Sequence, residues 1–125
     1  MQAAWGRNAV VFLLAAALAA AHHSTGSYDL IHGTIIEGVV TRFRWENPHA
    51  QLLLDVRGDR DAIEHWTIEL ESPSTLQRNG WTRTVLKPED HITVVGGRAK
   101  DGSFRLRASY IQWPDGRKLA ALDSN

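Results

Sequence analysis

The stretch TIIEGVVTRFRWENPH, Thr34 to His49, constrains the chain most. It is rich in β-branched and aromatic residues, which suit a pleated, half-buried surface, and it ends in a Trp-Glu-Asn-Pro-His corner. Ile35, Val39, Phe43 and Trp45 fall on odd positions, whereas Ile36 and Val40 fall on even ones, with Gly38 between the two patterns. A glycine inside a strand marks a bulge or a tight bend. The inward face is therefore expected to swap at Gly38. Pro48 ends the strand, because it has no N–H to give to a sheet ladder. A long first strand bent in the middle is what a small closed sheet needs, and the rest of the chain is expected to curl around it.

Downstream, Gln51 to Val56 reads as the second strand and Arg57 to Ala62 as a charged turn. His65 to Glu71 alternates cleanly, with Trp66, Ile68 and Leu70 inward and His65, Thr67, Glu69 and Glu71 outward. Ser72 and Pro73 then open a short helix that Asn79-Gly80 closes. Leu76 and Trp81 are expected to seal one end of the core, and Arg78 to pair with Glu69 or Glu71. Val85 to Asp90 is a turn into the fourth strand, His91 to Arg98. Lys100-Asp101-Gly102 is a hairpin signal, Phe104 to Trp113 is the fifth strand, and Pro114-Asp115-Gly116 makes a last turn before Lys118-Leu119. The order β-β-β-α-β-β predicts an all-β chain with one short helix, a five-stranded Greek-key barrel of the OB-fold type. A small open β-sandwich with the helix plugging one end is the second choice.

The segment before this domain has its own logic. Arg7 is followed by an unbroken apolar run, Ala9 to Ala21, that ends in small residues. Positive start, apolar middle and A-x-A site make a secretory signal. The run is shorter than the roughly 20 residues a helix needs to cross a bilayer, so cleavage is expected rather than an anchor. The reading is a signal peptide over 1–21, a polar arm over 22–33, the domain over 34–119 and a frayed tail over 120–125. Cleavage after Ala21 leaves 125 − 21 = 104 residues, enough for one compact domain, with no transmembrane span and an expected place in the periplasm. The 125-residue chain has a net charge of zero and no cysteine. Neutral balance argues against a nucleic-acid surface, and without disulfides the core alone must hold the fold.

Three groups of residues can carry chemistry. His22 and His23 follow the cleavage site. If Ala21 is the mature terminus, its amine, two backbone nitrogens and His23 close a planar four-nitrogen site suited to Cu(II) or Ni(II). If His22 is the terminus, its amine and ring chelate together, and His23, His49 or His32 supplies a further imidazole. A metal requires neutral imidazoles, so affinity is expected to fall as pH drops below about 6. The bland reading is an exposed, mobile start. The corner offers a stacking surface in Trp45, a donor and acceptor in Asn47, and a ligating or titrating ring in His49; equally, Asn-Pro opens a turn and Trp45 plugs the core. Glu69, Glu71 and His65 share one strand face, where carboxylates beside a histidine can do acid-base work, although a solvated outer face is the simpler reading. No serine–histidine–acid set, phosphate-cradling loop or H-E-x-x-H is present, and Gly96-Gly97 opens no helix, so the chain is not expected to be an enzyme.

The motifs HHS after the signal, W-x-N-P-H, W-x-x-E-x-x-S-P-x-x-L-x-R-x-G-W, L-K-P-x-D, A-K-D-G-S and W-P-D-G-R together resemble the exported bacterial family catalogued as domain of unknown function 6152. They stand here at His22 to Ser24, Trp45 to His49, Trp66 to Trp81, Leu86 to Asp90, Ala99 to Ser103 and Trp113 to Arg117. In that family the turn reads L-K-P-G-D, and here Glu89 takes the glycine place. The resemblance implies export and a single domain, and carries no activity with it. The expected function is a small exported binding protein that takes copper or another metal through His22, His23 and His49, or, without metal, a small ligand or envelope partner at Trp45, Asn47 and His49. A hydrolase built on Glu69, Glu71 and His65 is the third option.

Overall fold

The computed structural model describes residues 26–123. Within them the protein is mostly β. β1 spans Tyr28–Arg44, β2 Gln51–Arg57, β3 Ile63–Glu69, β4 His91–Ala99, β5 Arg105–Gln112 and β6 Lys118–Ala120. A single 3-10 turn, Asp59–Asp61, joins β2 to β3, and one helix, α1, covers Pro73–Arg78. The strands form one sheet in the order β3-β2-β1-β4-β5-β6, each antiparallel to its neighbour, and β3 pairs additionally with β5 in parallel. The strand count is six rather than five, because Lys118–Ala120 pairs with Tyr110–Gln112 across the Pro114-Asp115-Gly116 turn.

β1 starts six residues earlier than its side-chain pattern suggests. Tyr28 pairs with Ala99 and Gly33 with Gly97, so the four residues Asp29 to His32 bow out of register against β4. The Asp29 carboxylate holds this bulge by accepting from the backbone N–H groups of Ile31 and His32, each at 3.1 Å. A strand in which four residues stand against one of its partner shows no period, which is why 22–33 reads as an arm. From Tyr28 onward it is strand. The inward face of β1 does swap, but at Thr41, the unpaired residue between Val40↔Leu54 and Arg42↔Leu53. Gly38 serves a different purpose: a Cβ there would lie 2.6 Å from the Asp55 carbonyl, so glycine permits a close approach of β2.

The core gathers Val40, Leu52, Leu54, Trp66, Ile68, Val94, Leu106 and Ile111 from the strands, with Leu70 just past β3 beside them. The alternation of β3 is as expected on the inward side. α1 is capped by Ser72, whose side chain accepts from the Thr75 N–H, and it begins with Pro73 at its first turn. Leu76 and Trp81 are fully buried in the same core. Residues 120–123 are held rather than frayed. Trp81 Nε1 donates to the Ala120 carbonyl at 2.7 Å and Asn79 Nδ2 to the Leu122 carbonyl at 2.9 Å, which fixes residues 120–123 against the helix.

Candidate functional site

On the outer face of the sheet a polar row crosses four strands. Register places Arg44 opposite Gln51, Gln51 opposite Glu69, and Glu69 opposite Arg107. Glu69 points outward because Ile68 and Leu70 point in, yet its side chain is only 12% exposed. Tyr28, at the start of β1, covers it and donates its hydroxyl to Glu69 Oε2 at 2.8 Å. Arg107 donates one nitrogen to Glu69 Oε1 at 3.3 Å and another to Glu71, and Arg105 stands 4.0 Å from Oε2. His49, the last residue of the corner, places Nδ1 2.9 Å from Glu69 Oε1. One carboxylate thus joins the start of β1, the corner, β3 and β5.

The glycines of β4 make this row possible. Gly97 lies against the backbone of Asp29 and Gly96 against that of Arg107, each too close to allow a Cβ. The pair that opens no phosphate loop therefore lets β1 and β5 approach β4 closely on either side. Burial, then the Glu69 hydrogen bond and charge, push the Tyr28 hydroxyl up to about 12 from its ordinary 10.0. A hydroxyl with that pKa is a donor throughout the neutral range, so Tyr28 acts as a clasp.

Residues 10–106 match the family of unknown function DUF6152. The chain belongs to this family. Among curated proteins and solved structures, no match to the chain is found.

The remaining residues of this DUF6152 chain sort as follows. Trp45 packs edge-on against Phe43 at 5.8 Å and borders the core, whereas Asn47 is exposed. His32 is held by its own bulge, Nδ1 to Asp29 at 2.9 Å. Glu69 and Glu71 do not form a solvated face with His65: the register sets His65 across from Asp55, to which it bonds at 2.6 Å. The expected pairing of Arg78 with these glutamates also fails. Arg78 turns to the Thr75 hydroxyl at 3.1 Å and to Asp123 at 3.8 Å, and Arg107 takes the partner's place. The segment expected to be a signal peptide, His22 and His23 lie outside the described residues. Among the described residues no group of three histidine, cysteine, aspartate or glutamate side chains is set to hold a metal ion, and no helix is long and apolar enough to cross a membrane.

Sequence reasoning missed Arg107 altogether and left Tyr28 inside the polar arm of 22–33. The parallel β3–β5 pairing that sets Arg107 beside Glu69 joins residues 38 positions apart. No local pattern announces it.

Proposed function

We propose that this is an exported periplasmic binding protein built on an OB-type β-barrel, which takes up copper through His22 and His23 with His49 as a further ligand. The barrel reading is supported by the strand pairing: β3 meets both β2 and β5, and β1 meets both β2 and β4. Export is supported by the Arg7 and Ala9-to-Ala21 pattern. The copper reading rests chiefly on one observation, that the two oxygens of Glu69 hold Tyr28 and His49 together. His23 precedes Tyr28 by five residues, and five residues of extended chain reach at most about 17 Å. That covalent reach allows His23, and His22 one residue before it, to approach the His49 ring. In the form with His22 at the terminus the site takes one imidazole, His49, from the described residues, and the terminus adds an amine and the rings of His22 and His23.

A copper titration of the processed protein, its terminus defined by mass spectrometry, tests this. Tight one-to-one binding that is lost in both His23→Ala and His49→Ala is expected. Loss in His23→Ala alone would mean a terminal chelate independent of the fold, and no tight binding in wild type would overturn the reading.

A metal-free interaction module is the second reading, and the outer edge of β1 supports it. Before Val39, β1 pairs with β4 only, and Ile31 and Ile35 there are 88% and 68% exposed. An open strand edge with bare apolar side chains is suited to strand addition by a partner. Partner capture that survives removal of both His22 and His23 but fails on Ile35→Lys would favour it.

A further inference from the structure

We infer that β1 is a self-complementary edge: the stretch from Gly33 to Glu37 pairs antiparallel with the same stretch of a second copy, Ile35 against Ile35, in a twofold dimer. The inference rests on the interaction-module reading above and names the strand that is added.

Backbone direction decides which residues of β1 are available. Val40 donates its N–H to the Asp90 carbonyl and accepts from the Glu89 N–H, both at 2.8 Å, so its groups face the β4 side. Successive residues of a strand direct these groups to opposite sides in the plane of the sheet. Thr34, Ile36 and Gly38 therefore bond toward β4, with which they pair, whereas Gly33, Ile35, Glu37 and Val39 face away from it. Val39 meets Asp55 of β2 there. Among the described residues no strand pairs with Gly33, Ile35 or Glu37 on that side.

Self-pairing uses these groups and no others. With Ile35 opposite its counterpart, Gly33 of each copy falls opposite Glu37 of the other, and all three residues exchange both backbone bonds. Sliding the pair by two residues one way sets Ile35 against Glu37 and sends Gly33 to Val39, which β2 already holds. Sliding it the other way sets Ile35 against Gly33 and runs Glu37 into the bow of Asp29 to His32. A slip by one residue turns every side chain to the wrong face.

The side chains agree with this register. Ile36, Val94 and Ile111 point into the core, so their neighbours Ile35, Val95 and Tyr110 form a row across β1, β4 and β5 on the outer face. Ile35 is the open end of that row, and joining two copies there makes it continuous. Each Glu37 lies against a glycine instead of another acid, and like charges set opposite each other destabilise a sheet. Beyond Gly33, the exposed Ile31 of each copy runs toward the groove of about 500 Å³ that opens beside Val39 and Ile63 of the other. A net charge of zero leaves no long-range repulsion between copies. Twofold closure also removes the open edge from further strand addition.

Sedimentation and amide hydrogen exchange of the processed protein, with EDTA present to exclude metal bridging, test this. Mass should rise with concentration from one chain to two. Over the same range the amides of Gly33, Ile35 and Glu37 should lose their fast exchange, while those of Thr34, Ile36 and Gly38 are slow in both forms. Ile35→Lys, which sets like charges face to face at the centre, should lose the dimer and keep the late Tyr28 ionisation of the folded chain. A monomer at every concentration, with the three amides fast, overturns the second copy and leaves strand addition by a different protein standing. A monomer in which they are already slow means that the chain covers its own edge, and overturns both. A dimer in which they stay fast, or one that Ile35→Lys leaves intact, joins through another surface and overturns the inference. Exchange is read on wild type alone, so an Ile35→Lys protein that fails to fold does not spare it.

Discussion

Glu69 ties β1, β3, β5 and the corner together through a single carboxylate, so single-residue changes around it should be felt widely. Arg107 is the most exacting member, being buried and shared between Glu69 and Glu71. Arg107→Met would leave two part-buried carboxylates without their counter-charge, and breaking one side of a buried pair costs about 3–5 kcal/mol. The carboxylates are 12% and 20% exposed, so some rehydration should bring the loss toward the lower end, read as a drop in the urea midpoint. Tyr28 gives a prediction of its own. With its pKa raised to about 12, the folded state holds the phenol proton more tightly than the unfolded chain does. The stability from this bond is then complete below about pH 10 and is lost as pH rises toward 12. Absorbance at 295 nm should show one tyrosine ionising late among the protein's two, and Tyr28→Phe should abolish that component. The sequence exposes Glu69 as outward-facing through the alternation of β3. It says nothing of burial, because the cover comes from Tyr28 on a strand 41 residues away.

At the scale of elements, β2, β3, α1 and the hairpin turns were legible because each is specified by neighbours in the chain: a period of two, a Ser-Pro cap, an Asp-Gly turn. Elements that answer to distant contacts were less so. The bulge at Thr41 and the bowed segment from Asp29 to His32 are set by register against β2 and β4, and no residue type marks them. Glycine was read as a bend where it marks close approach. Gly96 shows the force of this, since a Cβ there meets the Arg107 backbone and the Leu106 side chain. Gly96→Ala should force β4 and β5 apart and cost about 1–3 kcal/mol by chemical denaturation, with the tyrosine signature of Tyr28 disturbed as well. The turn before β4 carries the opposite case. Glu89 sits at φ 76, in the left-handed region where a side chain costs about 1–2 kcal/mol, and its N–H bonds the Val40 carbonyl at 2.8 Å. Glu89→Gly relieves the strain and keeps that bond. Part of the gain is returned through the freer unfolded chain, so a net stabilisation of about 0.5–1 kcal/mol is expected, seen as a higher thermal midpoint.

For the whole molecule, the decisive question is whether the chain start and the folded domain act as one site, and linkage provides the answer without locating the ion. A ligand stabilises a protein only to the extent that it prefers the folded form. A chelate made by the terminal amine, the peptide nitrogens and His23 is local in sequence, so it binds folded and unfolded chains alike and leaves the unfolding midpoint where it was. A site that also needs His49 exists only when Tyr28 and the corner are clasped by Glu69, and unfolding destroys it. Copper at 100 times its dissociation constant should then stabilise the wild-type protein by at most about 2.7 kcal/mol, reduced by whatever copper the terminal nitrogens hold in the unfolded chain. The same copper should shift His49→Ala little, although that variant keeps every terminal nitrogen. Tyr28→Phe should fall between the two, because it loosens the tether without removing a ligand. Thermal denaturation of the three proteins with and without Cu(II) makes the comparison. Equal shifts in all three would mean that the metal never reaches the folded domain, and the outer-face row would then be a purely structural clasp.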